Sequence, residues 1–471
     1  MDLEFRKLLF YPLNYGSSLY HSYYSTDKNF VYAIKYIKYY SNAGLTDVEQ
    51  HKTLDTTCLY YSSAVERLSY TILSVLLANN KKYIFEMTDF GDRYGYYQIG
   101  DVKTYSRFDL MDLHAVSPQA WKWHYNDEFF NAYDWTVEPR ESIDELYRNR
   151  AEQLRRDYDY LVLYYSGGYD SANMLHAFLD NGIYPDEICV FYSRHDTVSN
   201  QYLELRDHTW KKLAEIAKKY PQIKIRKVDY SDYFFNWSSR VKEVNPDQDL
   251  IYNFGTILSL NHMMMDLSHK YIDDWKHILD NGQKMAWIHG AEKPSLRYLD
   301  NKWIFNFHDG LIRANITPLR QKIDNGKIGV YEFFYWAPQD LSAKIMIKQC
   351  HLLKQLYDPQ AQKDFSQIPG ARPCAEGYGH SVDTMSLPFT RTIYPRNFAG
   401  NEQFFTIKNA SHVWGNRDQW YFNSDHPGSQ EHWAMYRSTL SKKYQHWRRW
   451  YHDGNSIDSG IKNAMSRDYI I

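Results

Sequence analysis

The chain has 471 residues, with 55 lysines and arginines against 57 aspartates and glutamates, a formal net charge of -2. That length allows two or three domains, and the balanced charge gives no global field for nucleic acid or an anionic membrane. The longest apolar stretches, near residues 70–78 and 160–165, fall far short of a membrane span, and the acidic start Met1-Asp2-Leu3-Glu4 does not read as a signal peptide. A soluble, cytoplasmic protein is therefore expected, without a membrane partner.

In chain order, residues 54–78 read as a helix, and 83–87 and 96–99 as strands. Residues 141–154 have helical spacing with acids in the first turn. The apolar run Tyr160-Leu161-Val162-Leu163-Tyr164-Tyr165 predicts a strand. It ends in Ser166-Gly167-Gly168-Tyr169-Asp170-Ser171, and a helix follows from Ala172 to Leu179. Met174, Leu175, Phe178 and Leu179 lie on one face of that helix, and Asn181-Gly182 stops it.

Strands are expected at 187–193, 223–229 and 284–290, separated by helices over 199–219 and 256–279. This alternation predicts a parallel sheet wound by helices. Ligands of such sheets sit beyond the carboxyl ends of the strands. One crevice should then gather Ser166–Ser171, Tyr192 and Ser193, residues 229–232 and residues 289–294. Pro369-Gly370 and Arg372-Pro373 open a loop-rich segment that runs into a tryptophan-rich tail.

The glycine turn between strand and helix aims backbone N–H groups and the positive end of a helix dipole at one point, which suits a phosphate. It is not a Walker loop: Gly326-Lys327 lacks the first glycine and the final hydroxyl of that string. No G-x-G-x-x-G follows a strand either. The four cysteines, Cys58, Cys189, Cys350 and Cys374, form no C-x-x-C pair, so a zinc ribbon or four-cysteine cluster is not expected and buried reduced thiols are. Tyrosine is the compositional oddity, at 44 residues. These run from Tyr11 to Tyr469 without interleaved basic segments, and read as compositional drift, with tyrosine where phenylalanine or leucine would serve, rather than as a stack for bases. Residues 444–451, with arginines between tryptophans, are the local exception.

The string S-G-G-x-D-S resembles the PP-loop of the ATP pyrophosphatase superfamily, of the type found in the synthetase domain of asparagine synthetase-like proteins. The resemblance covers roughly residues 136–360. It implies a fold described as α/β, a central parallel sheet wound by helices (adenine nucleotide alpha hydrolase-like, a Rossmann-like PP-loop domain) with N- and C-terminal additions. The expected domains are 1–135, of unknown role; 136–360, which would bind nucleotide; and 361–471, an extension. It implies ATP and Mg²⁺ as cofactors. The main-chain N–H groups of Gly167, Gly168 and Tyr169 and the hydroxyls of Ser166 and Ser171 would hold pyrophosphate, with Asp170 on the metal. Tyr192 and Ser193 would complete the nucleotide site. Trp336–Asp340 followed by Lys344, Lys348 and His351 looks like the helical region whose basic residues reach toward the phosphates.

The chain departs from that family in two places. Position 2 is Asp2, not the nucleophilic cysteine of a glutaminase half, which is absent or replaced. His289-Gly290-Ala291-Glu292-Lys293-Pro294 stands where the family has a glycine-rich string ending in two acids. Glu292 would bind metal or orient the acceptor, and Lys293 would neutralise charge on the α-phosphate. The activity implied is an AMP-forming ligase that activates a carboxylate or amide-like oxygen for attack by an amine. The acceptor, a small molecule or a nucleobase, is not disclosed, and a homo-oligomer is compatible with the sequence. Two other readings stay open: a phosphoadenylyl-sulfate reductase-like enzyme, and a non-catalytic or virion-associated scaffold. Residues 230–237 and 377–380 are candidates for a closing segment.

Overall fold

Leu161, Val162 and Leu163 are wholly shut off from solvent, the pattern of a strand covered on both faces at the middle of a parallel sheet. The computed structural model describes residues 95–104, 110, 113–114, 119–197, 202, 205–232, 235, 275, 278, 280–290, 293–309, 330–368, 371–374, 378–384, 386–399, 424–427, 429–430 and 465–471. All of these fall in one compact unit, Glu86–Lys242 with Pro246–Ile471. The elements expected at 54–78, 83–87 and 444–451, and most of the helix expected at 256–279, lie outside the described residues.

Three short strands come first: β1 (Tyr96–Ile99), β2 (Val102–Thr104) and β3 (Trp121–His124). They form an antiparallel sheet in the order β2-β1-β3. Helix α1 (Asp127–Asn131) leads to α2 (Ile143–Asp157). A capping box starts α2: Ser142 Oγ accepts from the Glu145 N–H, and the Ser142 N–H donates to Glu145 Oε2 at 2.8 Å. Strand β4 (Tyr160–Tyr164) follows, then helix α3 (Tyr169–Leu179), which begins earlier than its apolar face suggested, directly after Gly168. Strand β5 (Glu187–Tyr192) is next. A π-helical turn, Leu205–Thr209, then runs into α4 (Trp210–Lys219), within the helix expected over 199–219.

Strands β6 (Lys224–Asp229) and β7 (Met285–His289) precede a hairpin of β8 (Ser295–Leu299) and β9 (Lys302–Asn306). The hairpin turns on Asp300 and Asn301, both left-handed at φ 50° and 61°, as a two-residue turn of this hand requires. Strand β10 (Val330–Phe333) leads into the long helix α5 (Asp340–Asp364). Strands β11 (Arg372–Pro373) and β12 (His380–Ser381), helix α6 (Leu387–Ile393) and strand β13 (Tyr469–Ile470) complete the order.

The protein is α/β. Its central sheet has five parallel strands in the order β10-β7-β4-β5-β6. The chain builds outward from β4 in one direction through β5 and β6, then returns to the other side of β4 for β7 and β10. The switch in direction therefore lies between β4 and β7, where their carboxyl ends leave a crevice. A second, antiparallel sheet has the order β11-β12-β8-β9-β13. Helix α5 meets it where Trp303 Nε1 donates to Asp358 Oδ1 at 2.9 Å.

Tyrosine fills the core among the described residues. Tyr97, Tyr125, Tyr147, Tyr165, Tyr335 and Tyr394 are all buried. Cys189 and Cys350 are buried free thiols, and Cys374 is free and half-buried. No described helix is long and apolar enough to cross a membrane.

One buried ion pair ties α2 to the sheet. Arg150 Nη2 donates to Glu332 Oε1 at 3.1 Å and to the Phe333 carbonyl at 2.9 Å, while Tyr158 holds the other Glu332 oxygen. Removing one partner of such a pair strands the other in a dry site. Glu332→Leu should accordingly lose about 3–5 kcal/mol of unfolding free energy, read by urea denaturation.

Candidate functional site

The strand ladder runs one residue past β4, where the Tyr165 N–H donates to the Cys189 carbonyl at 2.9 Å, and then breaks. Gly167 turns the chain with φ at 84°, a conformation side-chain-bearing residues resist. A Cβ on Gly167 would overlap the hydroxyl of Thr209, which closes over the loop from the start of α4. Gly168 is extended and caps α3 with no side-chain acceptor. A helix offers no acceptor of its own for the N–H groups of its first turn. The Ser166–Ser171 loop thus presents the beginning of α3 at the switch point, as its sequence suggested.

The two hydroxyls close the turn upon itself. Ser171 Oγ accepts the Ser166 N–H at 3.2 Å and donates to the Gly168 carbonyl at 3.1 Å. Ser166 Oγ lies 3.1 Å from Ser171 Oγ and accepts the Gly168 N–H at 3.2 Å. Three groups considered for pyrophosphate, namely both hydroxyls and the Gly168 amide, therefore have partners within the loop. A ligand there would exchange those bonds rather than meet open donors.

Asp170 gathers groups from three distant parts of the chain. Its Oδ2 takes the Lys293 ammonium at 2.8 Å, and its Oδ1 takes the Tyr394 hydroxyl at 2.7 Å. Tyr335 donates to the Asp170 carbonyl at 2.9 Å and receives Asn173 Nδ2 at 2.9 Å. Asn397 Nδ2 donates to the Tyr169 carbonyl at 2.8 Å. Gly290, at the end of β7, passes so close that a Cβ there would come 3.0 Å from the Asp170 carbonyl.

Lys293 is 9 % exposed and the Asp170 side chain 25 %. Burial first, and then the neighbouring Asp170 charge, pushes the Tyr394 phenol well above its ordinary range. The Tyr335 phenol is raised by burial first, then by Tyr147 and Asp170. Both hydroxyls stay protonated and act as donors.

Of the residues singled out in the sequence, Ser166, Gly167, Gly168, Tyr169, Asp170, Ser171 and Lys293 are brought together. Tyr192 ends the neighbouring strand β5, and Ser193 follows it. Ser193 Oγ lies 2.9 Å from Ser231 Oγ, and the Tyr192 ring meets Trp210 edge-on at 5.4 Å. Beside them Arg194 pairs with Asp229 at 2.9 Å. Glu292 lies outside the described residues.

Lys344, Lys348 and His351 do not reach this site. Lys344 holds Glu141 at 3.2 Å, Lys348 holds Glu138 at 2.6 Å, and His351 meets the Trp135 carbonyl at 3.0 Å. Their shared face of α5 packs on the segment before α2, whose glutamates neutralise it. Of the segments considered for closure, Tyr230 is buried in the core and Tyr378 is exposed. Tyr335, Tyr394 and Asn397 were not foreseen. They are 165, 224 and 228 residues from their partners on the loop, and as lone polar residues in an aromatic-rich chain they carried no local signal.

The metal expected on Asp170 can be tested against this geometry. Mg²⁺ wants six oxygens in an octahedron, commonly one or two carboxylates plus phosphates and water. Both Asp170 oxygens are already engaged, one of them by a cation. Among the described residues no group of three or more His, Cys, Asp or Glu side chains could hold a metal ion. Mg²⁺ at Asp170 would have to displace Lys293, so the residues as arranged do not fit it. Compared with family models, curated proteins and solved structures, the chain finds no match.

His289 ends β7 beside the loop, paired in register with Tyr164, whose ring it meets edge-on at 4.5 Å. Burial pushes its imidazole down from 6.5 to about 3, so it is neutral near pH 7. The unfolded chain takes up this proton below about 6.5 and the folded chain only near 3. Stability is thus intact above 6.5 and falls as pH drops from 6.5 toward 3. Replacing His289 with Phe should flatten that arm of a stability–pH curve measured by urea midpoints. Gly182→Ala, with φ at 69° and open space around it, should lose about 1 kcal/mol on chemical denaturation, and Gly167→Ala clearly more because Thr209 must also move.

Proposed function

We propose that this chain binds ATP at the switch point between β4 and β7, breaks the bond between the α- and β-phosphates, and uses the resulting adenylate to form a C–N bond. What carries this reading is the coincidence of S-G-G-x-D-S with the topological switch point, where a buried lysine from the β7–β8 connection meets the first turn of α3. The PP-loop class of the domain belongs to the same proposal.

In this reading the β- and γ-phosphates lie against the first turn of α3, where the helix dipole favours anions. An acceptor oxygen, from a carboxylate or an amide-like carbonyl, attacks the α-phosphorus in line. The bond from that phosphorus to the bridging oxygen breaks, and pyrophosphate leaves with the electron pair. Lys293 offsets the charge that builds on the phosphates. An amine then attacks the adenylate carbon, AMP departs, and an amide or amidine remains. Positioning and charge stabilisation supply the rate, because the protein forms no covalent bond of its own.

A second reading, the non-catalytic scaffold, draws on a specific observation: the loop's hydroxyls and Asp170 are satisfied within the protein. The reductase-like reading is disfavoured because burial pushes the Cys374 thiol up, away from the thiolate a nucleophile needs.

The full chain, incubated with α-labelled ATP, pooled carboxylic acids and ammonium, should release AMP and pyrophosphate. Asp170→Ala should lower that release at least about a hundredfold; because it also leaves the buried Lys293 ammonium without its carboxylate, the assay is run well below the variant's lowered melting transition. ADP plus phosphate would contradict the cleavage site, and no ATP binding by calorimetry would favour the scaffold.

A further inference from the structure

We propose that Asp170 does its work on Lys293 rather than on a metal ion: it holds a buried ammonium in place against the first turn of α3, and the phosphate ligand binds to that ammonium. This rests on the nucleotide reading and narrows it to phosphate recognition by a resident cation.

An ammonium that is nine-tenths buried is costly without a partner of opposite charge. Asp170 supplies one at 2.8 Å, a charge-assisted hydrogen bond. The Tyr394 hydroxyl fixes the other oxygen, and Tyr335 fixes the Asp170 backbone, so the carboxylate is held in one orientation. A divalent ion on the same carboxylate would stand beside the ammonium, and like charges at such range repel strongly. Phosphate meets the opposite charge of Lys293, which together with the start of α3 offsets its repulsion from the Asp170 carboxylate. It can accept from Lys293 while Asp170 keeps the Tyr394 bond. Asp170 is then a positioning residue and Lys293 the ligand-contacting one.

The separating experiment is calorimetric titration of the full chain with inorganic pyrophosphate, in EDTA and in Mg²⁺. Wild type should bind in EDTA. Lys293→Met should weaken binding about tenfold to a hundredfold in both buffers, and Lys293→Arg should keep most of it. Any effect of Mg²⁺ should be equal in wild type and Asp170→Asn. The double variant Asp170→Asn, Lys293→Met, which leaves no lone charge in the pocket, guards against misfolding of the single variants and should bind as poorly as Lys293→Met. A Mg²⁺ gain of tenfold or more that Asp170→Asn abolishes and Lys293→Met preserves would overturn this inference while leaving the nucleotide reading in place. Absence of pyrophosphate binding by wild type in both buffers would overturn the nucleotide reading and this inference together.

Discussion

The contact between Asp170 and Lys293 joins the two strands between which the sheet reverses its direction of growth. Asp170 rides on the helix after β4, and Lys293 on the connection after β7. A parallel sheet leaves a crevice at this point because the connections diverge to opposite faces. Bridging it with a part-buried ion pair has a cost in desolvation that only good geometry offsets. Here Tyr394 and Tyr335 provide it, by satisfying the remaining acceptors around Asp170.

The tyrosine excess finds its explanation in this kind of work. A buried tyrosine contributes a large apolar ring and one donor at its tip. Tyr147 reaches the Ile393 carbonyl at 2.6 Å, Tyr125 the Trp336 carbonyl, and Tyr335 the Asp170 carbonyl at 2.9 Å. In each case the ring packs in the core while the hydroxyl donates to a main-chain carbonyl far away in the sequence. Tyr147, Tyr335 and Tyr394 stand together, with ring centroids 5.7 to 6.4 Å apart, and carry the support of the loop into the core beneath α2 and α5.

The state of the loop bears on both functional readings. Its serines hold each other, which keeps the turn in shape without a ligand. Such a loop is preorganised, and an arriving phosphate would swap hydrogen bonds rather than order a floppy segment. The same self-sufficiency is what a scaffold would need. Chemistry at Lys293 separates the two, because a purely structural ion pair gains nothing from pyrophosphate.

Much of the central domain was legible in local pattern. The buried strand at 160–164, the glycine break after it, the strands at 187–192, 224–229 and 285–289 and the helix after Ser142 all follow from apolar periodicity and punctuation, which act over a few residues. The role imagined for Lys344 and Lys348 failed for a physical reason: helical spacing shows that they share a face, but not which neighbour that face meets, and Glu138 and Glu141 were waiting there. By itself the sequence determined an α/β chain with a glycine loop between strand and helix. Tertiary structure alone decided that Asp170 faces a lysine instead of an open crevice and that two tyrosines brace it. Long-range partners are chosen by how sheets stack and helices pack, and that information is spread over the whole core rather than written near any one residue.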